Sequence, residues 1–99
     1  MLIALICNDK PGSLELRLAT RPDHLAYMKG FEERGKVAAG GPLMDADGKP
    51  NGSLIVLDVE SMDEAHAFAA GDPYAKAGLF GSVEFRQWNW LVNPPGSGR

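Results

Sequence analysis

Cysteine occurs once, at Cys7. A single thiol forms no intramolecular disulfide and leaves no cysteine pair for a structural zinc site, so a reducing, cytoplasmic setting is expected. Basic charge is also scarce. The chain has 10 Lys and Arg against 13 Asp and Glu, a formal net charge of −3, with no dense basic run. Nucleic acid is therefore not expected as a partner, because phosphate binding needs a basic patch. Long hydrophobic runs are missing too. The opening stretch LIALIC, residues 2–7, has no basic flank and runs straight into the turn-forming Asn8-Asp9-Lys10-Pro11-Gly12. It reads as a buried strand, and neither a signal peptide nor a membrane span is expected. No phosphate loop, dinucleotide fingerprint, metal-binding helix or Gly-x-Ser-x-Gly elbow occurs, so neither a cofactor nor a metal is expected.

What is present fits one folded domain. The 99 residues are 44% hydrophobic and 23% charged, close to the averages of globular proteins. A chain of this size buries roughly 64% of the surface that its unfolded form exposes, so pairing with a second copy would add useful burial. Residues 1–92 read as the domain and 93–99, NPPGSGR, as a flexible C-terminal tail.

After the first strand, residues 13–19 suit a short helix. Thr20 through Asp23 supplies an N-cap, an early proline and an acid, which predicts a main helix over 21–34 with Gly35 as its C-cap. Residues 36–44 read as a short strand that loosens at Gly40-Gly41-Pro42. DADGKPNG, residues 45–52, is a polar turn, and SLIVLDVE, 53–60, is the most β-prone run. Ser61 and Glu64 form a capping box for a helix over 62–70. Asp72 and Pro73 restart a short helix that Gly78 ends. Residues 82–92 form the last strand, whose apolar phase changes near Arg86 and Gln87, as a bulge or a partner subunit would require. The order is that of an α+β, ferredoxin-like βαββαβ plait with a four-stranded antiparallel sheet. Strand 53–60 is apolar at alternate positions on both faces, and 99 residues supply no third layer. A homodimer is expected.

Chemistry-bearing residues are few. Of two histidines, His66 reads as a surface residue. His24, placed in the first turn of the helix 21–34, would sit at the positive end of the macrodipole, which favours the neutral ring able to accept a proton. Asp72 has a structural role as an N-cap and a functional one as the carboxylate that orients an imidazole, and the two are compatible. Gly41 and Pro42 allow close approach of a ligand to the backbone. Tyr74 and Phe80 are candidates for the pocket wall, Ser53 for structure or pocket lining, and Cys7 for an inert core thiol.

The blocks SLELRLATRPDHLAYM, AAGGPLMDADG, GS before the central strand, and GDPYAKAGLF before the last strand occur in this order over roughly residues 1–92. In this the chain resembles the YCII-related (YciI-like) family. The resemblance implies a dimeric α+β barrel built from two ferredoxin-like subunits. It also implies that the histidine of RPDHL and the aspartate of DPY, here His24 and Asp72, form a His-Asp active-site pair. Some members of that family resemble lyases that eliminate halide from chlorinated aromatic diols, and the wider superfamily includes isomerases and cofactor-free monooxygenases. Two functions are thus expected in turn. The first is a cofactor-independent lyase or isomerase that transfers a proton on a small, cyclic or aromatic substrate. The alternative is a non-catalytic ligand-binding or accessory dimer.

Overall fold

A computed structural model describes residues 1–96. The elements are β1 (Leu2–Asp9), α1 (Leu14–Glu33), β2 (Val37–Met44), β3 (Pro50–Asp58), α2 (Met62–Gly71), α3 (Pro73–Lys76) and β4 (Phe80–Trp88). The strands form one antiparallel sheet in the order β2-β3-β1-β4. This is the expected βαββαβ plait, with the short α3 before the last strand.

Strand alternation places the core. Ile3, Leu5 and Cys7 of β1 and Ile55 and Leu57 of β3 are buried on one sheet face, with Met28 of α1 and Ala65 and Phe68 of α2 packed in the same cluster. Leu2, Ala4 and Ile6 point the other way. Opposite them in register stand Asp58, Val56 and Leu54 of β3 and Trp88, Arg86 and Glu84 of β4. Among the described residues no helix is long and apolar enough to cross a membrane.

Several elements differ from expectation for physical reasons. Residues 13–19 and 21–34 form one helix, α1, that runs through Thr20 with Pro22 inside it. The proline removes the N–H that would donate to the Leu18 carbonyl, at a cost of about 3 kcal/mol. Packing outweighs that cost: the buried stripe Arg17, His24 and Met28 continues across Pro22, and the proline itself lies on the exposed side. At the other end, Gly35 at φ 71° lets its own N–H donate to the Glu32 carbonyl and the Lys36 N–H to that of Phe31, a Schellman closure.

The glycine-proline segment of β2 does not loosen. Gly40, Gly41 and Pro42 pair with Ile55, Leu54 and Ser53, and the edge position of β2 makes a proline tolerable there. β3 starts at Pro50, ahead of the expected 53. β4 spans Phe80–Trp88 and not 82–92. No bulge lies near Arg86 and Gln87. Pairing is continuous from Leu2 opposite Trp88 to Asn8 opposite Ser82, and the irregularity falls between Asn8 and Asp9. Trp88, the last residue of β4, stands on the sheet face opposite to Val83 and Phe85, and Trp90 follows the strand, its ring 5.2 Å from that of Trp88. The capping box at α2 forms: Ser61 Oγ accepts from the Glu64 N–H, while the Glu64 carboxylate accepts from the Glu60 N–H. Of the tail 93–99, residues 97–99 lie outside the described residues.

Cys7 is the inert core thiol in geometry. Burial, helped by the Asp72 charge, pushes its pKa from 9.0 up to about 12. The fold therefore holds the protonated thiol more tightly than the unfolded chain does. That contribution is complete below pH 9 and is lost as pH rises toward 12. At about pH 8.5 iodoacetamide is expected to alkylate the urea-unfolded chain within minutes and the native protein far more slowly. Equal rates in a mass-spectrometric time course would refute the burial.

Candidate active site

The site is assembled by α1 lying across the β3 side of the sheet. Arg17, His24 and Met28 face inward from α1. They approach Ser53 and Ile55 of β3, the Gly40-Gly41-Pro42 segment of β2, and Tyr74 in the first turn of α3, around a cavity of about 330 Å³. That volume falls within the range of small-molecule sites.

His24 Nδ1 lies 2.8 Å from Asp72 Oδ1. The same oxygen accepts the Tyr74 backbone N–H at 2.9 Å, so Asp72 caps α3 and holds the imidazole together. A carboxylate oxygen accepts, so Nδ1 carries the hydrogen in this pair, and in the neutral ring the lone pair is then on Nε2. The macrodipole argument for a neutral ring falls away, because His24 stands in the middle of the longer α1 and not in its first turn. Asp72 selects the tautomer in its place. Tyr74 stacks on the imidazole, with ring centroids 4.0 Å apart and planes 19° from parallel.

A second polar cluster adjoins the pair. The Arg17 guanidinium, in a side chain only 4% exposed, donates from Nε to Asp9 Oδ2 at 2.6 Å and from Nη2 to Asp9 Oδ1 at 2.9 Å. Nη2 also donates to Ser53 Oγ at 2.9 Å. Its carbon lies 4.6 Å from the Tyr74 ring centre. Burial works to lower the Arg17 pKa, but the hydrogen bonds and charge of Asp9 more than reverse it, and the net shift is upward. The Tyr74 hydroxyl is raised by burial, against the pull of Arg17 and Arg21. Gly52 sets the position of Ser53: a Cβ there would come within 2.5 Å of the Cys7 carbonyl oxygen, so only glycine lets β3 lie this close to β1.

The chain has relatives among known proteins. The sequence profile of the YCII-related domain matches residues 1–89. The chain belongs to the YCII-related family. It is 34% identical over 92 residues to the protein YciI of Escherichia coli O6:H1, across 87% of this chain and 94% of that one. Among solved structures it is similar to 5-chloro-2-hydroxyhydroquinone dehydrochlorinase from Burkholderia phenoliruptrix, determined in complex with 2,5-dihydroxybenzoquinone. That enzyme is 36% identical, with a TM-score of 0.84 over 90% of this chain and 94% of the other. An antibiotic biosynthesis monooxygenase from Nitrosomonas europaea, described as putative, shares the fold alone, at 14% identity and a TM-score of 0.53 over 94% of this chain and 91% of that one.

In this YCII-related chain His24, Gly41, Pro42, Ser53 and Tyr74 all line the one cavity. Asp72 stands behind His24. Phe80, expected on the pocket wall, is not a lining residue; it packs edge-on against Tyr74 at 6.0 Å, and buttresses the wall from outside. Sequence reasoning missed Arg17 and Asp9. Arg17 precedes His24 by seven residues, about two helical turns, so both share a face once α1 is read as one helix. Among the described residues no cluster of three or more His, Cys, Asp or Glu is placed to hold a metal ion.

Proposed function

We propose that the cavity binds a small cyclic or aromatic molecule and that His24 moves a proton on it without a cofactor, in a lyase or isomerase reaction, with Asp72 orienting the ring. The observation that carries this reading is the 2.8 Å contact between His24 Nδ1 and Asp72 Oδ1 in a side chain that also lines the cavity. It leaves Nε2 as the proton acceptor, and the Asp72 charge stabilises the imidazolium formed on transfer. The similarity to a dehydrochlorinase supports an elimination in which the base takes a proton and chloride departs with its bonding electrons. The test is a turnover panel of hydroxylated and chlorinated ring compounds that includes 5-chloro-2-hydroxyhydroquinone. Product formation, and chloride release for the chlorinated members, is the expected result. Binding throughout the panel without any product would replace this reading with a ligand-binding or accessory protein.

The assembly belongs to the same proposal. The sheet face away from the helices carries Leu2, Ala4, Ile6, Leu54, Val56 and Trp88, and Leu54 and Trp88 are 41% and 40% exposed. A second subunit stacked on this face would bury it as a homodimer. Sedimentation velocity is expected to give twice the chain mass for the native protein and a monomer for Leu54→Lys. A monomeric native protein would end the dimer proposal.

A further inference from the structure

The cavity is larger than one ring needs. About 150 Å³ is enough to hold benzene, and this cavity has about 330 Å³. The spare volume has a direction, because the lining follows α1 from Arg17 to Glu32, about 22 Å of helix axis. Arg17 and Ser53 mark one half. Beyond His24, Met28 stands about one turn further along α1, and Ile55 lies two residues past Ser53 along β3, in register with Gly40 of β2.

This far half is apolar. Leu25, Met28, Val37 and Ile55 wall it, Gly40 is its floor, and Glu32 stands at its outer end. Met28 and Ile55 belong to the core, whereas Leu25 is 51% exposed and would be covered by a guest lying here. Methionine at position 28 adapts its contacts to guests of different shape.

Gly40 decides the reading, because the fold does not require a glycine there. It is not among the glycines with positive φ. An added Cβ would meet the Leu54 carbonyl oxygen and Met28 Cε at 3.7 Å and Ile55 Cγ1 at 4.0 Å, all ordinary van der Waals distances. At Gly52 and Gly71, by contrast, an added Cβ would come within 2.5 Å of its neighbour. A glycine inside a strand weakens that strand. The missing side chain at position 40 therefore serves the cavity, which it leaves open between Met28 and Ile55.

We infer that this apolar half of the cavity, floored by Gly40, is a second subsite that takes an apolar substituent, a second ring or a branched alkyl group, carried by the ring that His24 addresses. The subsite rests on the proposed small-ring function and narrows its substrates to rings that bear such a group. Burial of the substituent supplies binding free energy away from the reacting position.

Calorimetric titrations with benzene-1,4-diol and 2-phenylbenzene-1,4-diol, in oxygen-free buffer, test the subsite. The native protein is expected to bind the phenyl compound about tenfold tighter than the parent diol. Gly40→Val, which sets three carbons into the floor, is expected to abolish that preference. Gly40→Ala is expected to unfold at a urea concentration equal to or above that of the native protein, because alanine restricts the unfolded chain. Equal affinities of the native protein for the two diols overturn the subsite. So does a preference that persists in folded Gly40→Val, or a lowered urea midpoint for Gly40→Ala, which would make the glycine a requirement of the fold. The native comparison and the Gly40→Ala midpoint stand if Gly40→Val fails to fold. Binding of neither diol overturns the small-ring reading itself, and the turnover panel decides the proton transfer separately.

Discussion

Replacing Asp72 by asparagine is expected to lower kcat by about a hundredfold to ten-thousandfold on the substrate that the ring panel identifies, with little change in the fold. The geometry explains why. A single oxygen, Asp72 Oδ1, accepts both the Tyr74 N–H and the His24 Nδ1–H. An asparagine oxygen in the same place keeps both bonds, so the cap of α3 and the imidazole tautomer survive. The negative charge does not. When Nε2 takes a proton, the imidazolium forms beside a neutral amide in a site that is 8% exposed at His24 and 1% at Asp72, where an uncompensated charge is costly. A purely structural cap would leave kcat in place. Measured kcat values of the two proteins, with circular dichroism to check folding, decide the matter, and a variant within about threefold of the native rate would remove Asp72 from the proton transfer.

The parts of this molecule that the sequence made legible are those where one local cause dominates. Continuous apolar runs at residues 2–7 and 54–57 became central strands, and Ser61 with Glu64 capped α2 as their spacing required. Thr20 to Asp23 shows the limit. An N-cap, a proline and an acid are local signals of a helix start, and nothing local reveals that packing on the sheet carries α1 straight through them. That misplacement has a cost at the site. With a break at Thr20 the phase between Arg17 and His24 is lost, and a buried arginine reads as an exposed one. Asp9 is hidden in a similar way, because NDKPG has the composition of a turn while β1 continues through Asp9 by pairing with β4. His24 and Asp72 stand 48 residues apart, and no spacing rule joins them; the ordered blocks of the family resemblance did.

Arg17→Met is expected to destabilise the protein by about 3–5 kcal/mol, since it leaves the Asp9 carboxylate buried without its partner. Both side chains of the pair are 4% exposed, so water does little to replace the guanidinium. For a domain whose whole stability is about 5–15 kcal/mol, the loss is large enough to bring urea unfolding close to zero denaturant. The methionine fills most of the volume, so packing is not the main term. The missing charge and its hydrogen bonds are. A double replacement, Arg17→Met with Asp9→Leu, removes both charges and is expected to regain most of the stability, giving a coupling of the same order as the single-variant loss. Arg17→Lys should fall between, because an ammonium keeps the charge but cannot reproduce the planar two-point bond to Asp9 together with the bond to Ser53. The stabilities follow from urea titrations of the four proteins. If Arg17→Met is as stable as the native chain, the pair is solvated in solution and does not fasten α1 to β1.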